Sequence, residues 1–333
     1  MKKIRAFFDW TVEQELKEYL RRGLKGTDAV LIFKDEIIQS DLLSIISDIN
    51  VLVCWRPSQE ILDNAGELSV IINPGAGVQH LKALSPFLKA RNITLINGHG
   101  NSYFTAQHGV ALLLSLMNRI IPHHNAMKEG KWRLGDEFAA SLPLRGRRIG
   151  LLGYGHVNSK VHKFLSGFDV SFSVLRRKRG DVAQEGKNYS FERKDDFFRD
   201  NDIIIIAVPL TESTKGMVGE KELNLLGSEG LIVNIGRGEV VNEESLYNAL
   251  KNAEIAGAAI DVWYNYRPDD DNLGRKHPFN FPFHELENVI LSPHRAASPF
   301  SDLQRWDEVI DNIRRICNGN GNLLNVVDIE EGY

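Results

Sequence analysis

The stretch "GLLGYGHVNSKV" (150–161) decides how the rest of the chain is read. An apolar run ends in Gly-Tyr-Gly and passes at once into a segment of helical periodicity. Gly153 and Gly155 give a tight turn and a bare backbone, so a pyrophosphate can approach a helix N-terminus where unpaired N–H groups point outward. Gly153, Tyr154, Gly155, His156 and Val157 are therefore expected to contact a dinucleotide. The competing reading is a tight βα turn without ligand. The third position of the G-x-G-x-x-G pattern is Asn158, which predicts a helix and strand packed slightly further apart.

Outward from this turn, short β-rich runs recur: "IRAFF" (4–8), "AVLIF" (29–33), "VLVCW" (51–55), "VII" (70–72) and "ITLI" (93–96). After a gap come "IGLL" (149–152), "VSFSVL" (170–175), "IIIIAV" (203–208), "LIVNI" (231–235), "IAGAAI" (255–260) and "VIL" (289–291). Strand runs that are apolar throughout, alternating with helical segments, predict parallel sheets covered on both faces. The expectation is an α/β chain with two doubly wound units, of five and six strands. The gap holds "FTAQHGVALLLSLMNRIIPHHNAMKEG" (104–130), which reads as one long helix, and "FSDLQRWDEVIDNIRRI" (300–316) reads as the last.

With 333 residues, 43% hydrophobic and 25% charged, the chain is long enough for two ordinary domains with their own cores. A formal net charge of −4 gives no reason to expect nucleic acid or an anionic membrane as partner. Cys54 and Cys317 are too few for a disulfide framework, and no metal site is read. The start "MKKIRAFFDW" lacks an apolar core, and "IIIIAVPL" is too short to span a bilayer; a cytoplasmic protein is expected.

The residue about twenty positions after the glycine turn sorts one dinucleotide from another. The second strand of that unit ends "VSFSVLRRKRG", with Leu175 where an acid would take a ribose 2′-hydroxyl, followed by Arg176, Arg177, Lys178 and Arg179. Guanidinium groups match a 2′-phosphate, so the lean is to NADP over NAD, against the alternative of a solvated basic turn. Arg237, Asp261 and His294 each follow a different strand run, at the edge of an open parallel sheet where ligands bind. Singly, each has a structural explanation as a turn arginine, a capping aspartate or a turn histidine. Together beside a phosphate turn they read as a site. Arg237 suits polarisation of a carbonyl and capture of a carboxylate, and His294 suits movement of the hydroxyl proton.

Assembled in this order, the residues resemble those of the D-isomer-specific 2-hydroxyacid dehydrogenase family. "NPGAGVQHL" (73–81) is similar to its substrate loop, which implies that the Ala76 and Gly77 amides receive a carboxylate. "TAQHGVALLLSLMNRI", with Thr105, is similar to the start of its cofactor domain. "VPLTESTKGMVG", with Val208, Pro209 and Thr214, is similar to its middle crossover, and "VNIGRGEVVNEESL", with Ile235, Gly236 and Arg237, to the segment bearing the essential arginine. "DVW" and "SPHRAA" are similar to its last two signatures, and Asp261 is thereby assigned to the nicotinamide carboxamide. The resemblance implies a flavodoxin-like substrate domain (1–103 plus 298–333), an inserted Rossmann-fold dinucleotide-binding domain (104–297), and a homodimer built on the latter.

In the family a glutamate five residues after that aspartate partners the histidine. Here the segment reads "DVWYNYRPDDDN" and the position is Tyr266. Tyr266 is expected to orient His294 without supplying charge, which leaves the histidine near its unperturbed pKa; the alternatives are that Asp269, Asp270 or Asp271 folds back, or that catalysis is weak. Gln107 also replaces a usual glutamate, and Arg56 in "CWRPS" (54–58) is read as a surface arginine or as the partner of a second acidic group. The function expected is reversible reduction of a small 2-oxo acid such as glyoxylate or hydroxypyruvate. The alternatives are a formate- or phosphite-type dehydrogenase, or a nucleotide-sensing corepressor-like protein.

Overall fold

The computed structural model describes residues 3–133, 135, 140–177, 186–299 and 301–331. The chain divides into two units, Met1–Asn101 with Pro299–Tyr333, and Ser102–Ser298. The first holds a five-stranded sheet of β1 (Ile4–Phe8), β2 (Ala29–Phe33), β3 (Val51–Val53), β4 (Val70–Asn73) and β5 (Thr94–Asn97). Its order β2-β1-β3-β4-β5, every pair parallel, is the flavodoxin-like order. The helix Asp307–Cys317 returns to this sheet, its Ile310 and Ile313 packing with Phe8, Leu20 and Phe33.

The second unit carries β6 (Arg148–Leu152), β7 (Ser171–Leu175), β8 (Gly186–Tyr189), β9 (Ile203–Ile206), β10 (Leu231–Asn234), β11 (Gly257–Ile260) and β12 (Val289–Leu291). They run parallel in the order β12-β11-β10-β9-β6-β7-β8, a Rossmann arrangement with its switch point beside β6. The four isoleucines of β9 are all 0% exposed, because a central strand covered on both faces has no solvent side.

Two expectations are corrected. The second sheet has seven strands, not six: β8, "GKNY", is a polar edge strand with no apolar run to announce it. The segment 104–130 is not one helix but two, Ser102–Met117 and Ile120–Lys128, broken where Arg119 turns left-handed at φ 51°. Pro122 enforces the break, since its nitrogen has no hydrogen to donate back into a continuing helix. Among the described residues no helix is long and apolar enough to cross a membrane, and Cys54 and Cys317 are buried and free.

Asn158 fills the space between helix and sheet. It is 0% exposed, and its Nδ2 donates to the carbonyls of Gly153 (2.7 Å), Ile205 (3.1 Å) and Leu152 (3.2 Å). The side chain thus ties the helix His156–Leu165 to the ends of β6 and β9, where a glycine would leave those carbonyls without this donor. Asn158→Ala is expected to lower the unfolding free energy by about 2 kcal/mol in chemical denaturation, the cost of a buried carbonyl stripped of its partner. A loss within error of zero contradicts this role.

Candidate active site

Six loops of the second unit leave the carboxyl ends of its parallel strands and so share one sheet edge. They place Gly153 after β6, Arg176 after β7, Val208 after β9, Arg237 after β10, Asp261 after β11 and His294 after β12. Gly153 holds φ +82°, and a Cβ there would stand 2.6 Å from Val208 Cγ1. Gly155 faces open space at the start of the helix His156–Leu165, so its backbone is bare toward any ligand. Tyr154, between the two glycines, bonds His162 Nδ1 through its hydroxyl at 2.8 Å.

Several expected cofactor residues have structural occupations. Leu175, at the place of the ribose-binding acid, is fully buried. Thr214 is 6% exposed and donates to Pro209 O at 2.7 Å, closing its own turn. Ile235 lies in the core under helix Ser102–Met117, against Gly109. Arg176 differs: its Nη2 is buried and has no hydrogen-bond partner among the described residues. Unsatisfied donors of this kind are rare, and this one fits a phosphate group. Arg177 is exposed and Thr105 lies on helix Ser102–Met117, while Lys178 and Arg179 fall outside the described residues.

Arg237 extends from a turn clamped by its neighbours. A Cβ on Gly236 would meet Val208 O at 3.0 Å and one on Gly238 would meet Trp263 O at 2.4 Å, so both flanks must be glycine. Asn234 locks the turn, its Nδ2 donating to Arg237 O at 3.0 Å and its Oδ1 accepting from Gly236 N at 3.2 Å. The guanidinium donates to Gly236 O at 2.7 Å, and among the described residues no carboxylate pairs with it. Burial pushes its pKa below the usual arginine value.

Asp261, expected on the nicotinamide, is bound into the chain itself. It is 1% exposed, and both oxygens accept from the chain itself: Oδ1 from the Ser292 hydroxyl and from Arg295 N (2.8 Å), Oδ2 from Ala296 N (3.0 Å). Burial works against its charge, but the bonds from His108, Ser292 and the two amides outweigh that and hold its pKa below the ordinary carboxylate value. His108 Nε2 lies 2.9 Å from Ser292 Oγ and 3.6 Å from the carboxylate, so it reaches Asp261 chiefly through the hydroxyl. What this cage positions is the loop of His294, whose backbone is left-handed at φ 55°.

The imidazole has the partner the sequence suggested. His294 Nδ1 lies 2.9 Å from the Tyr266 hydroxyl, which also accepts from Trp263 N at 3.2 Å. With one lone pair taken by that amide, the phenol is set to give its hydrogen to Nδ1, leaving the neutral ring's proton on Nε2. Burial raises the Tyr266 pKa, so it stays a donor at neutral pH. Asp270 and Asp271, the alternatives for this place, face Lys276 and Arg275. His294 keeps solvent access, yet its pKa lies below the ordinary imidazole value. Burial is the first cause, Arg237 and Arg295 act in the same direction, and Asp261 opposes them.

In the first unit, the loop after β4 is built by two asparagines that face each other as the last pair of β4 and β5. Asn73 Nδ2 donates to Gly75 O (2.6 Å) and Gly77 O (3.0 Å), and Asn97 Nδ2 donates to Ala76 O (2.8 Å). With the carbonyls drawn inward, the amides of Ala76 and Gly77 donate to no acceptor among the described residues. A loop in this state presents peptide N–H groups to an anion. Trp55, 44% exposed, lies against Gly75, and Arg56 beside it is exposed. Asn73 opens the stretch "NPGAGVQHL" while Asn97 carries no motif signal; only the strand register pairs them.

Tyr266→Glu sets a carboxylate against Nδ1 and is expected to raise the His294 pKa, read by NMR titration of the ring. An unchanged or lower value would sink the placement of residue 266 beside the imidazole.

The chain matches the family model described as "D-isomer specific 2-hydroxyacid dehydrogenase, NAD binding domain" over residues 110–296. It is 31% identical to a glyoxylate reductase of Thermofilum pendens over 278 residues, 81% of this chain and 79% of that one. A glyoxylate reductase of Pyrococcus furiosus is 27% identical over 289 residues, 83% and 81% of the two chains. Among solved structures, a D-isomer specific 2-hydroxyacid dehydrogenase from Xanthobacter autotrophicus Py2, in complex with NADPH and MES, shares the fold at TM-score 0.78, 22% identity and 100% coverage of both chains. An NADPH-dependent glyoxylate/hydroxypyruvate reductase from Sinorhizobium meliloti, in complex with NADP and malonate, does so at TM-score 0.71, 23% identity and 99% and 98% coverage. The chain belongs to the D-isomer specific 2-hydroxyacid dehydrogenase family and is an NAD(P)-dependent oxidoreductase acting on CH–OH donors.

Proposed function

We propose that this protein interconverts a small 2-oxo acid of the glyoxylate or hydroxypyruvate type and its D-2-hydroxy acid, with NADP preferred. The observation that carries the reading is the placement of Arg237 and His294 on loops that follow separate parallel strands at one sheet edge, with the Tyr266 hydroxyl 2.9 Å from His294 Nδ1. The names of the glyoxylate reductases similar to this chain support the substrate class.

The dinucleotide, when bound, supplies or takes the hydride. Gly153, Tyr154, Gly155, His156 and Val157 would hold its pyrophosphate, and the Nη2 of Arg176, without a partner among the described residues and with Arg177 next in the chain, supports a 2′-phosphate. Val208, Pro209, Thr214, Ile235, Gly236 and Thr105 are assigned to the cofactor through the family resemblance. Asp261 is assigned to the His294 loop in place of the carboxamide. Arg237 binds the acid and polarises its oxo group with a guanidinium that no carboxylate among the described residues neutralises. The free amides of Ala76 and Gly77 are assigned to a carboxylate, and Arg56 to a second acidic group where a substrate carries one.

His294 gives its Nε2 proton to the nascent alkoxide in reduction and takes it back in oxidation. Reduction needs the imidazolium, and burial and the neighbouring arginines hold its pKa down. The reducing rate is therefore full below that depressed pKa and falls as pH rises through it, whereas oxidation rises over the same range. The exposed Ile120, Ile121, Met127 and Trp132, on and after the helix Ile120–Lys128, support a homodimer through this unit. Two free buried cysteines suit a reducing, cytoplasmic setting.

NADPH oxidation with a panel of 2-oxo acids tests the reading. The acid form of kcat/KM should dominate, with its midpoint below that of an ordinary imidazole, and Arg237→Ala should cost about 10²- to 10³-fold. Dinucleotide binding without turnover on any 2-oxo acid would refute it. Arg176→Gln is expected to weaken NADPH about ten- to a hundredfold while leaving NADH nearly unchanged, measured by titration.

A further inference from the structure

We propose that His108 is a positioning residue for His294, acting through the Ser292 hydroxyl and the Asp261 carboxylate; the role rests on the reading of His294 as the proton carrier. Ser292 Oγ has one hydrogen, and the carboxylate beside it can only accept, so that hydrogen goes to Asp261. The same oxygen must then accept from His108 Nε2 at 2.9 Å. The direction of the chain is fixed: His108 donates to Ser292, and Ser292 donates to Asp261.

Ser292 is the node where the His294 turn is pinned from both sides. Its side chain is held by His108 and Asp261, and its carbonyl accepts from Trp263 Nε1 at 2.8 Å and from His294 N at 3.0 Å. Asp261 in turn receives the amides of Arg295 and Ala296, the two that follow His294. Five donors, from His108, Trp263, His294, Arg295 and Ala296, thus converge on two residues to hold a non-glycine backbone at φ 55°, a conformation that a Cβ disfavours. Serine has three staggered rotamers, and the donor on His108 selects the one that points Oγ at Asp261. Ser292 is 6% exposed, so an oxygen left without that donor has little water to turn to.

His108 has no room to retreat. The next residue, Gly109, lies so close to β10 that a Cβ would stand 2.7 Å from Ile235 Cδ1. Helix Ser102–Met117 therefore presents its histidine to Ser292 from a fixed distance. Neither the phosphate turn nor Arg237 shares this path.

The test compares His108→Leu, His108→Gln, Ser292→Ala and the Leu–Ala double variant of the full chain. Readouts are kcat and KM with glyoxylate and hydroxypyruvate across pH, NADPH affinity, the thermal midpoint, and NMR titration of the His294 ring. His108→Leu is expected to lower kcat/KM about ten- to a hundredfold, mostly in kcat, with NADPH affinity kept and the His294 titration displaced. His108→Gln, which keeps a donor, should recover most of the rate. In the Ser292→Ala background the leucine should add nothing, because the path is already cut. Additive losses, parental kinetics and titration in His108→Leu, or a glutamine variant as impaired as the leucine, each overturn the proposal. If His108→Leu does not fold, His108→Asn, with its shorter amide, takes its place. Should the parent protein reduce no 2-oxo acid, the substrate reading fails, while the ring titration of the variants against the parent still decides the role of His108.

Discussion

The left-handed backbone at His294 is the constraint on which the site depends. A non-glycine residue in this region costs on the order of 1–2 kcal/mol and persists only where its surroundings over-determine it. Here the surroundings are a buried carboxylate, a serine, a tryptophan indole and two backbone amides, all within the stretches 261–263 and 292–296. Asp261 anchors this turn. With both oxygens engaged at 1% exposure, it can hold a negative charge in the interior without leaving it unsatisfied. Removing that carboxylate would free the turn and orphan two amides at once.

Tyr266 changes the acid–base character of the histidine more than its position. A carboxylate at Nδ1 would orient the ring and stabilise the imidazolium together. A phenol already accepting from Trp263 N orients the ring and offers the cation far less. The nearest compensating charge is Asp261, which raises the His294 pKa but does not overcome burial and the two arginines. The site therefore keeps the geometry of a proton carrier while favouring its neutral state.

The parallel sheets were legible because covered strands read as continuous apolar runs, and "IIIIAV" and "LIVNI" became adjacent central strands. The polar edge strand Gly186–Tyr189 was not, since an edge needs little hydrophobic cover, and the break at Arg119 was hidden in an apolar stretch where only Pro122 signalled it. Arg237, His294 and Tyr266 were found because each stands at a motif position and carries, or replaces, the chemistry that position needs. The work of Ser292, Asn73 and Asn97 was invisible: their partners are carbonyls, amides and carboxylates set by register, which no residue pattern encodes. Asn158 illustrates the same limit, for its departure from glycine suggested a wider helix–strand spacing but gave no sign of the carbonyls its Nδ2 reaches.

Arg237 shows why such a site holds its strain. A guanidinium taken from water without a carboxylate is costly; burial lowers the Arg237 pKa, and the His294 pKa is lowered first by its own burial and then by the charges of Arg237 and Arg295. The chain contains 44 acidic residues, yet among the described ones none pairs with Arg237. An anion bound there removes the repulsion between the two cations and repairs the desolvation in one step. It also raises the affinity of His294 for its proton, so the arrival of an acid substrate favours the imidazolium that reduction requires. Neutralising Arg237 with a protein carboxylate would stabilise the empty site and abolish that response, which is the physical reason to leave it unpaired.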